Sequence, residues 1–324
     1  MNTPTPELSV SGGWVPFHVV RGAPEFAVLW TWLGAERFRD PFFDQTVSSA
    51  FNHPLPLLLQ RATSLEQLVE LAERAPDRPP SAFIFHVSRC GSTLVAQMFA
   101  RLERLFVLSE ARPLTVALED PRLSPGDRRR AFRALIRLYG CAANSAGYIV
   151  KLDARNLLTW HEIAEAYPGV PRLVLHRDPV EVLVSNLSNQ QASLTPGQIE
   201  PAQLGPPPRA LTGPEDYAAF VLSRFYAAAV EAAAAPCSLT LDYRALPRAV
   251  ETLVVPHFGL RLGAAEVEAM TAATGIYSKD ASRSAPFVAD SAAKHAEADA
   301  ATRALAAEWL APHYGKLRAL SAAV

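Results

Sequence analysis

One stretch of this sequence is built to hold phosphate. Ala82 to Val87 is a short apolar run without helical period, the pattern of a buried parallel strand. It leads through Ser88-Arg89-Cys90-Gly91-Ser92-Thr93 into a helical pattern predicted over Gly91 to Leu105. A strand that enters a helix through such a small-residue turn points several backbone N–H groups, and the positive helix end, at one spot. Gly91 lets the backbone approach a phosphate closely, Ser92 and Thr93 add hydroxyl donors, and Arg89 supplies charge. The common G-x-x-x-x-G-K-[ST] loop is absent, and no Lys stands at the helix start. Read alone, the segment also fits an ordinary strand–turn–helix.

A second segment carries matching chemistry. Leu173 to His176 reads as a strand, Arg177-Asp178-Pro179 follows, and the helix from Pro179 to Asn189 carries Ser185 eight positions after Arg177. Ser185 then lies two helical turns along, so a strand-end charge and a helix hydroxyl can converge on one ligand group. The plainer alternative is a surface Arg–Asp pair with Pro starting a helix.

In order and residue type, the two segments resemble the bacterial sulfotransferase-like proteins, over roughly residues 80 to 290. The resemblance implies that the Ser88–Thr93 loop, Cys90 and Gly91 included, binds the 5′-phosphosulfate end of 3′-phosphoadenosine 5′-phosphosulfate. Ser92 and Thr93 would hold the 5′-phosphate, Arg89 would stabilise charge on the leaving phosphate oxygen, and Arg177 with Ser185 would bind the 3′-phosphate. Lys151, in Val150-Lys151-Leu152-Asp153, matches a basic strand end that adds charge near the sulfuryl group. Leu241-Asp242-Tyr243-Arg244-Ala245-Leu246 is similar to the family's late strand, although Arg244 and Ala245 replace an acidic pair. Ile276 to Arg283 occupies the place of a late loop that closes over the nucleotide. Its usual Arg-Lys-Gly triplet is missing, so Lys279 and Arg283 are either 3′-phosphate ligands or solvated surface charges.

The same resemblance makes Glu110, in Leu108-Ser109-Glu110-Ala111-Arg112, the general base for the acceptor. His86 and His176 are the alternatives, unless both are structural, and Arg112 is alternatively a structural partner of Glu110. The implied reaction moves a sulfuryl group to a hydroxyl or amine on a small molecule or peptide, without a metal. A non-catalytic nucleotide-binding protein on the same fold is the competing reading. A P-loop kinase ranks lower, since it needs a Lys at the loop's helix start and a magnesium-holding acid.

These residues need a frame. Past the Pro76–Pro80 linker, strands alternate with helices: further strands are predicted at Phe106 to Leu108, Tyr148 to Leu152 and Cys237 to Leu241. Helices are predicted at Leu157 to Ala166, Glu215 to Ala234, Leu246 to His257 and Ala298 to Leu320. The expected fold is α/β, a P-loop-type parallel sheet flanked by helices, spanning residues 81–324 with a helical C-terminal tail. Residues 1–80 form an aromatic-rich extension that packs on this core, ending in a helix N-capped by Ser64. That block and the Gln190–Pro214 loop are expected to wall the acceptor pocket, and their Phe and Trp content suggests an acceptor with an apolar part.

Composition narrows the class. With 31 basic and 32 acidic residues, the net charge of −1 argues against a nucleic-acid binder. Three scattered cysteines imply neither a disulfide framework nor a zinc site and suit a reducing, cytoplasmic compartment. No signal-peptide h-region and no apolar run near membrane-spanning length is seen.

Overall fold

The computed structural model describes residues 13–322, apart from 22, 35–37, 39, 55–57, 143–144, 190–193 and 276–289. The aromatic block forms a small antiparallel sheet, which its sequence did not announce. β1 (Trp14–Val19) pairs with β2 (Val28–Trp32), and β2 with β3 (Arg61–Thr63). The strands are too short, and bulged between Pro16 and His18, for an alternating pattern to stand out. Trp30 is fully buried, and its indole N–H donates to Thr63 Oγ1 at 2.8 Å. Helix α1 (Phe43–Ala50) lies between β2 and β3 in the chain, and α2 (Leu65–Arg74) follows β3. The N-cap at Ser64 is as expected: Ser64 Oγ accepts from the Gln67 N–H while the Gln67 side chain accepts from the Ser64 N–H.

The main sheet has five parallel strands in the order β5–β6–β4–β7–β8. They are β4 (Ala82–His86), β5 (Leu105–Ser109), β6 (Gly147–Lys151), β7 (Arg172–His176) and β8 (Ser238–Asp242). Every residue of β4, β5 and β7 is buried, because helices cover both faces of the sheet. This is the expected α/β architecture. Helix α3 (Ser92–Ala100) stops short of the predicted Leu105, because β5 begins there and the chain must turn through Arg101 to Arg104. Two helices that the sequence reading passed over, α4 (Arg112–Glu119) and α5 (Pro125–Ala142), join β5 to β6. The Arg-rich surface of α5 hides a buried face of Phe132, Leu135, Ile136 and Tyr139.

Other expectations shift by a turn. The helix predicted from Leu157 starts as a 3₁₀ segment, Ala154–Thr159, before α6 (Trp160–Ala166). α7 (Pro179–Ser188) and α8 (Pro214–Ala234) lie where predicted. The helix predicted over Leu246 to His257 begins only after Pro247, at Arg248, and runs to His257 with a π-helical middle at Val250–Val254. After α9 (Ser291–Glu297), the C-terminal tail runs as Ala300–Leu305, a π turn at Ala306–Leu310, and Ala311–Leu320. No helix among the described residues is long and apolar enough to cross a membrane.

The N-terminal sheet and the parallel sheet share one continuous hydrophobic core. Tyr139 donates its hydroxyl to the Pro16 carbonyl at 2.6 Å, and the Phe38 ring meets Phe106 edge-on. Arg122 clamps the turn after β1, donating to the carbonyls of Val20, Ala23 and Glu25 while Asp120 holds its other side. Trp14, Trp30, Phe38 and Phe43 are buried in this shared core.

Candidate functional site

The strand order fixes where a ligand can sit. From central β4 the chain crosses to β5 on one side, returns through β6, then passes to β7 and β8 on the other. The reversal opens a crevice at the carboxyl end of β4, between β6 and β7, the usual ligand position in such sheets. Ser88, Arg89 and Gly91 turn through this crevice with φ of 74°, 50° and 84°. Successive left-handed and helical residues aim their N–H groups into one concavity, a backbone nest for an anion. None of the hydrogen bonds among the described residues uses the N–H of Arg89, Cys90 or Gly91 as donor. Gly91 has a second reason to be glycine: a Cβ would come within 2.8 Å of both Leu246 Cδ1 and Tyr243 Cδ2.

Side chains of the loop divide by task. The Ser88 hydroxyl donates to Asn186 Oδ1 at 3.0 Å, and the fully buried Cys90 thiol donates to the Leu175 carbonyl. Burial pushes that thiol up to about 11. Both side chains thus hold the loop in place; the Ser88 N–H is also spent, on His86 Nδ1, so of the two residues only Cys90 keeps its N–H for a ligand. Ser92 and Thr93 begin α3, where N–H groups lack intrahelical acceptors. Arg89 reaches across to α7, its Nε donating to Ser185 Oγ at 2.7 Å. Arg177 Nη1 donates to the Arg89 carbonyl at 3.3 Å, and its guanidinium stacks 3.9 Å over the Tyr243 ring. The structure therefore brings Arg89, Arg177 and Ser185 together, with Arg89 between the pair that the sequence joined directly. Asp178 is no surface partner of Arg177: its carboxylate caps α7 by accepting from the N–H groups of Val180 and Glu181. Lys279 and Arg283 lie outside the described residues.

A second cluster forms where β4, β5 and β6 end. Glu110 follows β5 with φ 52°, donating its N–H to the Lys151 carbonyl at 2.7 Å. The Lys151 ammonium, completely buried and set over the Phe42 ring, hydrogen-bonds Glu110 Oε1. Burial alone would raise the Glu110 carboxyl, but Lys151 and a hydrogen bond from His86 hold it well below the usual carboxylate range. Its partner is thus Lys151, and no ion pair joins it to Arg112 among the described residues. Nearby Asp153 shifts the other way, raised by burial and by the Glu110 charge.

Both histidines are engaged in hydrogen bonds. His86 Nε2 lies 2.9 Å from the Leu152 carbonyl and 3.4 Å from Glu110 Oε1, so this nitrogen carries the proton. Its Nδ1 accepts from the Ser88 N–H, leaving no free lone pair. His176 is buried between Ser321, whose hydroxyl is 2.6 Å from Nε2, and the edge of the Tyr314 ring. Burial, with Arg244 and Arg318 opposing the nearby Asp242, drops its pKa from 6.5 to about 4. An unfolded His takes a proton near pH 6.5 that the folded one refuses. Stability contributed above that pH is lost as pH falls towards 4, at most about 3 kcal/mol. Urea midpoints measured from pH 7 to 4 should fall more steeply for wild type than for His176→Gln, and parallel slopes would refute the assignment.

A cavity of about 320 Å³ lies beyond this cluster, lined by Arg21, Val116, Glu119 to Arg122, Gly197, Gln198 and Glu200. It joins the turn after β1 to the loop after α7, the two walls expected of an acceptor pocket. Its lining is charged, with Arg21, Glu119, Asp120, Arg122 and Glu200, while Trp14, Trp30, Phe38 and Phe43 lie in the core. Arg155 and Arg21 both pair with Glu119 on its floor.

Sequence reasoning missed Glu181, Asn186, Asp290 and Lys294, all of which touch the site. Glu181 had a signal, four residues after Arg177 on the same helix face. Asn186 adjoins Ser185 without a motif, and the other two come from more than 100 positions downstream.

No family model and no curated protein matches the chain. Several solved structures are similar to it, among them these three. A sulfotransferase from Mycobacterium avium is 12% identical, with 75% of this chain and 81% of that one covered and a TM-score of 0.46. The sulfotransferase domain of the Synechococcus PCC 7002 olefin synthase is 16% identical, covering 78% and 98% with a TM-score of 0.42. A sulfotransferase from Alicyclobacillus acidocaldarius is 13% identical, covering 75% and 96% with a TM-score of 0.44.

Proposed function

We propose that this protein is a sulfotransferase that moves the sulfuryl group of 3′-phosphoadenosine 5′-phosphosulfate to a polar hydroxyl or amine acceptor. The observation that carries this reading is the meeting of two constellations at the carboxyl end of the parallel sheet. The Ser88–Gly91 nest and the Arg89–Ser185–Arg177 network offer places for two phosphates, and the Lys151–Glu110 pair stands beside them. A single-phosphate ligand would need only the first.

Sulfuryl transfer asks for alignment and charge stabilisation more than covalent help. The loop N–H groups and the start of α3 orient the 5′-phosphate, and Arg89 faces the oxygen on which charge collects. Glu110 takes the proton from the acceptor as its oxygen or nitrogen bonds to sulfur and the sulfur–oxygen bond to the 5′-phosphate breaks. Lys151 has a second role here. While it pairs with Glu110 the carboxylate is ionised but weakly basic. When the ammonium leans towards the departing charge, Glu110 gains basicity as the proton becomes available. The acceptor approaches from the charged cavity, whose floor residue Glu119 ends the helix that begins two residues after Glu110.

Calorimetry on the full chain tests the donor site. 3′-Phosphoadenosine 5′-phosphate is expected to bind at least about tenfold tighter than AMP or ATP. Equal binding of all three, or none of the bisphosphate, would remove the donor and the proposed reaction with it.

A further inference from the structure

Arg177 is the cation that a second phosphate would meet, yet its guanidinium already holds two carboxylates. Nε donates to Glu181 Oε2 at 2.5 Å, and Nη2 to Asp290 Oδ1 at 2.7 Å. The two acids differ in kind. Glu181 belongs to the scaffold: its side chain is 8% exposed, it lies one turn along α7, and it also accepts from Ser291 Oγ at 3.0 Å. Asp290 arrives from far along the chain, stays 45% exposed, and accepts from Lys294 Nζ with its second oxygen at 2.5 Å. Lys294 is itself 12% exposed and lies within electrostatic reach of both Arg177 and Arg89. Around them, Asp178 is spent on the α7 N-terminus, and His295 lies 3.5 Å from Glu181 and 3.6 Å from Asp178.

We infer that Asp290 is a resident anion in the second-phosphate subsite, and that Lys294 is the cation it releases to the nucleotide. The inference rests on the donor reading above and adds what that reading lacks, a competitor built into the chain. An exposed carboxylate bridging Arg177 and Lys294 makes the charge-assisted contacts that two phosphate oxygens would make. A phosphate brings more charge and one more oxygen than the carboxylate it displaces, so the exchange runs forward for a bisphosphate nucleotide. A ligand with only a 5′-phosphate leaves Asp290 where it is. Asp290 therefore acts on recognition of the second phosphate and not on the first, and Lys294 supplies positive charge that the missing Arg-Lys-Gly triplet does not.

The test is calorimetric, on the full-length chain, with 3′-phosphoadenosine 5′-phosphate and AMP as probes. Asp290→Asn, and Asp290→Ser as a second variant, are expected to bind the bisphosphate about tenfold tighter than wild type and AMP no differently. Lys294→Met is expected to weaken the bisphosphate by a similar factor, again sparing AMP. If wild type binds the bisphosphate selectively but both Asp290 variants bind it equally or more weakly, Asp290 is a brace for Arg177 and the inference fails. If neither wild type nor variants bind the bisphosphate, the donor reading itself fails.

Discussion

Glu110→Gln is expected to lower the rate of sulfuryl transfer by about 10²- to 10⁴-fold, the usual worth of a positioned general base. The amide keeps Oε1 as an acceptor for Lys151 and for the His86 N–H, so the local geometry can persist. What it cannot do is take a proton. The loss should fall on kcat, because among the described residues no hydrogen bond joins Glu110 directly to the loop or to the Arg89–Ser185–Arg177 network, and its one link to the loop, through His86, is kept by the amide. Bisphosphate affinity should accordingly stay within about twofold of wild type, a split that separates base catalysis from donor binding. Lys151→Met gives the contrasting case. It frees Glu110 from its ion pair while removing the charge proposed to assist departure, so the carboxyl titrates higher. The rising limb of the pH–rate profile should then move to higher pH as the maximal rate falls. Wild-type turnover in Glu110→Gln, with Lys151 still essential, would make the pair a structural ion bridge and leave the acceptor proton to solvent.

Legibility in the sequence followed the reach of the interactions. Contiguous apolar runs announced β4, β6 and β7, because these covered strands keep their charged and polar residues, His86, Lys151, Arg172 and His176, to their ends. The loop and the Arg177-Asp178-Pro179 turn were readable because Gly, Pro and Ser at fixed spacing express backbone geometry directly. The antiparallel N-terminal sheet was hidden, since its three strands are short, the first is bulged, and β1 and β2 carry aromatics towards a core shared with the main sheet. Helix α5 was hidden for the opposite reason, as its many arginines read as surface although its inner face is fully buried. Within the site, motifs located Glu110 and Lys151 but left open whether Arg112 paired with Glu110. Strand register decides it, because Ser109 lies opposite Lys151 in the β5–β6 ladder and so sets Glu110 beside it. Asp290 and Lys294 belong to no local pattern, and only the folded chain brings them to Arg177.

Arg177→Met is expected to abolish discrimination between the bisphosphate and AMP, and to destabilise the fold by about 3–5 kcal/mol. The second effect comes from Glu181, a carboxylate only 8% exposed that would remain in the interior without its guanidinium. Loss of the bond to the Arg89 carbonyl and of stacking on Tyr243 would also loosen the loop, so the single variant mixes ligand contact with architecture. The double variant Arg177→Met, Glu181→Met separates them. Replacing both members of a buried pair by apolar side chains of similar size removes the stranded charge, and most of the lost stability should return in urea unfolding. Phosphate discrimination should not return, because no other guanidinium contacts that face of α7 among the described residues apart from Arg89, which is already committed to Ser185. Recovery of both properties in the double variant would mean that Arg177 serves the fold alone and that the second phosphate binds elsewhere. Recovery of stability without discrimination would assign the guanidinium to the nucleotide, with Glu181 as the scaffold that holds it in position.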